Sequence, residues 1–415
     1  MPGESDDTYP RVSPDDASSR EPTRGELLRF IGIMVLFWAS LYVFVPVMAP
    51  LAAQRGASMR LIGVIVGSYG LVLFLSRIPL GIWSDRRRSR AKFVGYGFVA
   101  AAAGALGMAL IDNPLVMVAS RGLTGVAAAM WVMVTVLFAS RYSLDRIPYA
   151  MGVAITCSYF TQTVVTLSGG IIADRFGWEA PFFVAALFAV GGLGLVRTLE
   201  DTSPPAASTP VLGEIVRVAT RPAVLVASLL AALVMAVQLM TVHGFTPLLA
   251  TELGAGGSAL GILSFAATAM MGAGSYVSGR WIVHRVGPAA TVTAEFTLAS
   301  AFTGSLSISA SLPVLVVLQA IGALGIGVVL TPLSSLTLEA VPIQLRATAM
   351  AVFQAIYSLG IFAGPLIAGA LAERHGISAA FIGASAVAAC GAAVSVPAIR
   401  RAYAFAIHRP SAETS

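Results

Sequence analysis

The stretch RIPLGIWSDRRRSRAK, from Arg77 to Lys92, changes character in its middle. Up to Ser84 it is apolar except for Arg77. Beyond that point Asp85 is followed by Arg86, Arg87, Arg88, Arg90 and Lys92. Upstream, the apolar character runs back to Leu61. A run of roughly 20 apolar residues, at ~1.5 Å per residue, crosses the ~30 Å hydrocarbon core of a bilayer. A burst of Lys and Arg at its end marks a cytoplasmic face. The stretch therefore reads as the inner end of a transmembrane helix, with Arg77 stranded ~12 Å inside it.

The same pattern recurs on both sides. Apolar runs fall at Leu27–Gln54, Leu61–Ser84, Phe93–Ile111, Leu115–Ser140, Ile147–Ala173 and Pro181–Leu199. They continue at Pro222–Thr251, Ser258–Val283, Ala289–Ala310, Pro313–Leu338, Ala347–Ala372 and Ser378–Ile399. This predicts an all-α membrane protein with twelve transmembrane helices and both termini on one side. Composition agrees: 11% of residues are charged, against ~25% in soluble domains. Of the 26 Lys and Arg, all but six fall on the segments that this topology places inside. The exceptions are Arg55, Arg60, Arg175 and Arg374 outside, and Arg77 and Arg121 within spans. Both termini are expected in the cytoplasm and the chain in the cell inner (plasma) membrane. The net charge of +6 follows from this topology, so no nucleic-acid partner is expected.

Residues 1–26 carry Asp6, Asp7, Asp15 and Asp16 among Pro and Ser, and read as a disordered cytoplasmic tail, not a signal peptide. The Pro-rich EDTSPPAASTP lies in a cytoplasmic linker over 200–221. It separates a helix bundle over 27–199 from a second over 222–399, and 400–415 form a further cytoplasmic tail. Cys157 and Cys390 fall inside separate spans, which argues against a disulfide framework or a metal site.

The two halves repeat. Pro114 and Pro313 precede equivalent spans 199 residues apart. At the same offset Gly170, Ala173, Asp174, Arg175 and Gly177 map onto Gly369, Ala372, Glu373, Arg374 and Gly376, and Asp85-Arg86 maps onto His284-Arg285. A constant offset is the mark of a duplicated six-helix unit.

Two six-span halves, a central linker and GIWSDRRRSR after the second span resemble the major facilitator superfamily of secondary transporters. Gly81, Asp85, Arg86 and Arg90 match that family's loop pattern, although Arg88 stands where it has glycine and Ser89 where it has arginine. Arg121, Gly125 and Ala129 match its fourth-span pattern, and GGIIADRFGW its fifth-span end. The resemblance implies two pseudo-symmetric six-helix bundles that move a substrate by alternating access. It also implies a latch at Asp85, meeting a helix N-terminus or an arginine of the other bundle in the outward-facing state. A solvated loop carboxylate is the plainer reading. His284, at the equivalent place, cannot act as a carboxylate. The family's antiporter signature in the fifth span is incomplete here, since Val165-Thr166 replace Gly-Pro while GPLIAG stands in the eleventh.

Charge inside a bilayer is costly and marks function by default. Arg77 and Arg121 have no Asp or Glu within the first six spans to neutralise them. Arg77 has three open readings: bonds to carbonyls near Pro79, membership of the latch, or contact with an anionic substrate. His243 titrates near neutrality in its unperturbed form, so it is a coupling candidate beside its structural reading. Glu295 is expected to pair with Arg280 or Arg285. Tyr42, Tyr69, Tyr159 and Gln162 in the first half, and Gln238, Gln319, Gln354 and Tyr357 in the second, are candidates for the substrate cavity. Trp38 and Trp131 fit a cavity wall or a lipid-facing surface equally.

Two cavity-side cations without acids argue against lipophilic cations and favour neutral, zwitterionic or anionic solutes. The expected function is secondary transport of a small organic molecule by a monomer in the lipid bilayer, as proton-coupled efflux, with uptake of a small carboxylate as the alternative. A non-transporting receptor is the rival of another class. No nucleotide-binding motif and no catalytic cluster is present in the sequence, so neither an enzyme nor a cofactor is expected.

Overall fold

A computed structural model describes residues 22–87, 89–143, 146–199, 212–342 and 345–407. Among them there is no strand, and ten helices are long and apolar enough to cross a membrane. The helices of the first half are α1 Arg24–Gln54, α2 Met59–Arg87, α3 Arg90–Leu110, α4 Pro114–Ala139, α5 Ile147–Phe176 and α6 Ala180–Val196. Those of the second half are α7 Pro222–Glu252, α8 Gly257–Val286, α9 Pro288–Leu306, α10 Leu312–Glu339, α11 Arg346–His375 and α12 Ile377–Ile407. The ten include neither α6 nor α9, which are shorter or less apolar.

Local chemistry explains the ends. Thr23 and Glu26 form a reciprocal capping box that starts α1. Asn113 caps α4, with Pro114 at its first turn where the missing N–H costs nothing. Gly177 and Gly376, both at positive φ, end α5 and α11 in the conformation that favours glycine.

Within the first half α2 packs on α4, α3 on α4 and α6, and α1 on α5 and α6. The second half repeats every one of these pairings: α8 on α10, α9 on α10 and α12, α7 on α11 and α12. Two seams join the halves, α2 against α11 and α5 against α8, and they too are equivalent. At both seams backbones touch. A Cβ on Gly63 would strike the Pro365 carbonyl, and one on Gly170 would strike Gly257 and Gly261. Large rings fill each half separately, Phe37, Phe98 and Phe182 in one and Phe296 and Phe381 in the other, all fully buried.

Three expectations need correcting. The charged stretch after Ser84 is not a loop at its start, because α2 continues to Arg87. The 200–221 linker contains a short helix, Leu212–Ala219, whose Ile215 and Val218 pack against Val341 and Val352; residues 200–211 lie outside the described residues. The last helix runs to Ile407, well past the expected boundary at 399. Residues 1–21 and 408–415 also lie outside the described residues.

Two helices break at the same depth. In α1 the regular helix stops at Tyr42 and resumes at Val45. Pro46 has no N–H to give the Tyr42 carbonyl, four residues back. In α7 the turn Thr241–Phe245 is widened to a π-helix ahead of Pro247, which cannot donate to His243. The two breaks face each other, with the Tyr42 and His243 rings 5.9 Å apart.

Candidate functional site: a cationic cavity between the halves

A cavity of about 210 Å³ lies where these breaks meet. Its wall is built from helical stripes. Trp38, Tyr42 and Val45 come from α1; Tyr69, Leu73 and Arg77 from α2; Arg121, Ala128 and Trp131 from α4. The second half gives Met235, Gln238, Leu239 and His243 from α7, and Gln354, Tyr357 and Ile361 from α11. Spacings of three, four and seven put each set on one face of its helix.

Two guanidinium groups dominate the electrostatics. Arg77 and Arg121 are 7% and 4% exposed, so both are effectively out of water. Among the described residues neither makes an ion pair with a carboxylate. Arg121 lies 4.5 Å above the Tyr69 ring and 5.6 Å from that of Phe44, and gives a long hydrogen bond (3.3 Å) to Thr124. Arg77 lies 6.0 Å from the ring of Tyr357 in the other half. Cation–π contact returns ~2 kcal/mol or more when desolvated, less than the several kcal/mol an intramembrane arginine costs. Nε and Nη1 of Arg77 and Nε of Arg121 are buried with no hydrogen-bond partner. The carbonyl-bonded reading of Arg77 fails on this point: α2 passes through Pro79 unbroken and those two donors remain free.

The opposite wall is polar but neutral. Gln238 Nε2 and His243 Nε2 are 3.2 Å apart, while Gln238 Oε1 and His243 Nδ1 are buried and unpartnered. With the amide donating to Nε2, the imidazole carries its proton on Nδ1. The pair then offers the cavity one acceptor and one donor. Trp38 Nε1 is a further free buried donor, on an aromatic ladder with Trp131 at 4.9 Å and Tyr42 at 5.5 Å.

The structure thus brings Tyr42, Tyr69, Arg77, Arg121, Gln238, His243, Gln354 and Tyr357 to one cavity. Three other candidates stand outside its wall. Gln319 is buried on α10 and accepts a hydrogen bond from Thr246 at 2.7 Å. Tyr159 packs beside Gly272 of α8, and Gln162 follows it along α5. Tyr159 thereby lies at the α5–α8 seam. Glu295 makes no ion pair with Arg280 or Arg285; it is buried against Gly325, with Oε1 unpartnered. The side chains of Asp85 and Arg86 lie outside the described residues. Gly81 faces open space, and Arg90 opens α3.

Comparison with known proteins agrees with this architecture. The family model described as Major Facilitator Superfamily matches residues 30–305 and 229–413. The inner membrane transport protein YajR of Escherichia coli (strain K12) is 32% identical over 146 residues, 34% of this chain. That match spans about a third (31%) of the length of this curated relative. Among solved structures, a bacterial homologue of the human lysosomal transporter Spinster, inward-facing and occupied, superposes with a TM-score of 0.75 at 16% identity. The superposition covers 93% of this chain and 98% of that one. The human organic anion transporter MFSD10 gives 0.63 at 18% identity, over 89% and 98% of the two chains. The helical fold and the matched length lead to one conclusion: the chain belongs to the Major Facilitator Superfamily.

Proposed function

We propose that this protein moves a small organic anion across the bilayer by alternating access between two six-helix bundles, residues 27–199 and 222–399. In this reading α6 and α9 cross the membrane as well, giving twelve spans; at 17 and 19 residues they are ~26–29 Å long, enough for the hydrocarbon core. The repeated helix pairings support two bundles, and one chain completes the cavity, as a monomer requires. The Lys and Arg bias places both termini in the cytoplasm of a plasma-membrane protein.

The observation that carries the cargo assignment is the pair of buried, unpaired arginines facing one cavity. An anion would neutralise them and fill their free donors with charge-assisted hydrogen bonds. The aromatic ladder suits an apolar or ring-bearing body. Gln238 and His243 suit a neutral hydrogen-bonding group at the other end. A lipophilic cation would meet two like charges and no acid. Gly81, Asp85, Arg86 and Arg90 form the gate at the cytoplasmic face in this scheme.

Reconstituted vesicles test it. Aromatic carboxylates should exchange across the membrane and lipophilic cations should not; imposing a pH gradient of either sign reads direction and proton coupling together. Asp85→Asn, inserted normally, should lose most of the flux. Flux of cations but not of carboxylates would refute the cargo class, and full flux in Asp85→Asn would remove Asp85 from the gate.

A further inference from the structure

Two carboxylates outside the cavity bridge the halves. Near the end of α5, Asp174 reaches α8: Oδ1 accepts the backbone N–H of Gly257 at 2.5 Å, and Oδ2 that of Ser258 at 2.7 Å. Its counterpart 199 residues on is Glu373, near the end of α11, whose Oε2 accepts the N–H of Arg60 at 3.3 Å. Arg60 is the second residue of α2. Each carboxylate therefore sits on the N-terminus of a helix from the other half.

That is where an anion is held best, because the first N–H groups of a helix lack partners and carry its positive dipole end. The two sites are unequal. Gly256, at the N-cap of α8, has no side chain to cap with, so Asp174 supplies what the local sequence cannot. α2 has its own Ser58, whose Oγ accepts from Leu61 at 3.3 Å. One turn before each carboxylate stands a close backbone contact: Gly170 against Gly257 and Gly261, Gly369 against Met59 and Gly63. Small residues bring the helices together there and the carboxylates fasten them. All of this lies at the end of the molecule away from residues 22 and 407.

We propose that Asp174 and Glu373 are paired latches of this distal gate, and that both must release before that face opens. The inference rests on the alternating-access reading, and Asp174, with two short bonds, is the stronger latch. An unlatched carboxylate would be solvated at once, since both residues are exposed. The latch therefore biases the gate without locking it.

The test measures gate distances, not transport. With Cys157 and Cys390 replaced by serine, spin labels at Leu115→Cys and Ile308→Cys report the distal separation of the halves by electron–electron resonance in liposomes. Both sites are exposed, at 66% and 84%, and neither lies on a seam. Asp174→Asn should raise the open-to-closed ratio about tenfold, Glu373→Gln about threefold, and the double variant by about the product. Asp174→Glu, which keeps the charge, should fall between wild type and Asp174→Asn, and guards against a folding defect in the amide variant. Two distances in wild type with unchanged proportions in the variants would overturn the latch alone. A single unvarying distance, with and without an aromatic carboxylate, would overturn alternating access and the latch with it.

Discussion

Arg121 shows how one side chain can be legible in a sequence while its partners are not. A lone arginine in an apolar run announces itself because the bilayer penalises it. Nothing local announces that the Tyr69 ring lies beneath it, 52 residues earlier in the chain. That contact makes a prediction. Arg121→Lys keeps the charge, but an ammonium is a compact point charge that cannot stack its plane on the ring while offering several fixed donors. Cargo affinity should fall at least tenfold, read by quenching of Trp38 and Trp131, which both line the cavity. Unchanged affinity would mean that charge alone suffices there. Gln319 is the converse case. Its type suited a cavity, yet its Oε1 already accepts a hydrogen bond from Thr246, and a side-chain partner on another helix leaves no trace in sequence spacing.

At the scale of the helix, ends were legible and interruptions only partly so. Expected span boundaries fall within a few residues of most observed ends because Pro114, Pro222 and Gly177 act through local backbone chemistry. The widened turn of α7 depends on Pro247, but Pro79 and Pro332 sit inside helices that run straight through. Proline alone does not say which outcome follows. The apolar wall was recoverable in principle: Leu73 lies midway between Tyr69 and Arg77 at helical spacing, and Ile361 lies four residues beyond Tyr357. The linker helix Leu212–Ala219 was hidden by the Pro-rich stretch before it. Pro247→Ala should restore an N–H to α7, allow a regular helix and turn Gln238 away from His243. We expect cargo affinity to drop about fivefold or more with little loss of thermal stability. Retained affinity would show that the π-turn does not set the cavity geometry.

For the whole molecule, duplication does most of the organising. The 199-residue offset visible in Pro114 and Pro313 reappears in the matching helix pairings and in the Asp174 and Glu373 contacts. The halves have nevertheless diverged in charge. The first half lines the cavity with two arginines, and the second with Gln238, His243 and Gln354. Under the proposed function a cargo that touches both is anionic at one end and neutral at the other, and this asymmetry is the centre of the account. The most direct test is a binding series on the purified protein, followed by tryptophan fluorescence: an aromatic carboxylate, its primary amide, and the corresponding amine as a cation. The account predicts saturable binding of the carboxylate, at least tenfold weaker binding of the amide, none of the cation, and loss of that preference in Arg77→Gln/Arg121→Gln. Equal binding of carboxylate and amide, or preference for the cation, would contradict it.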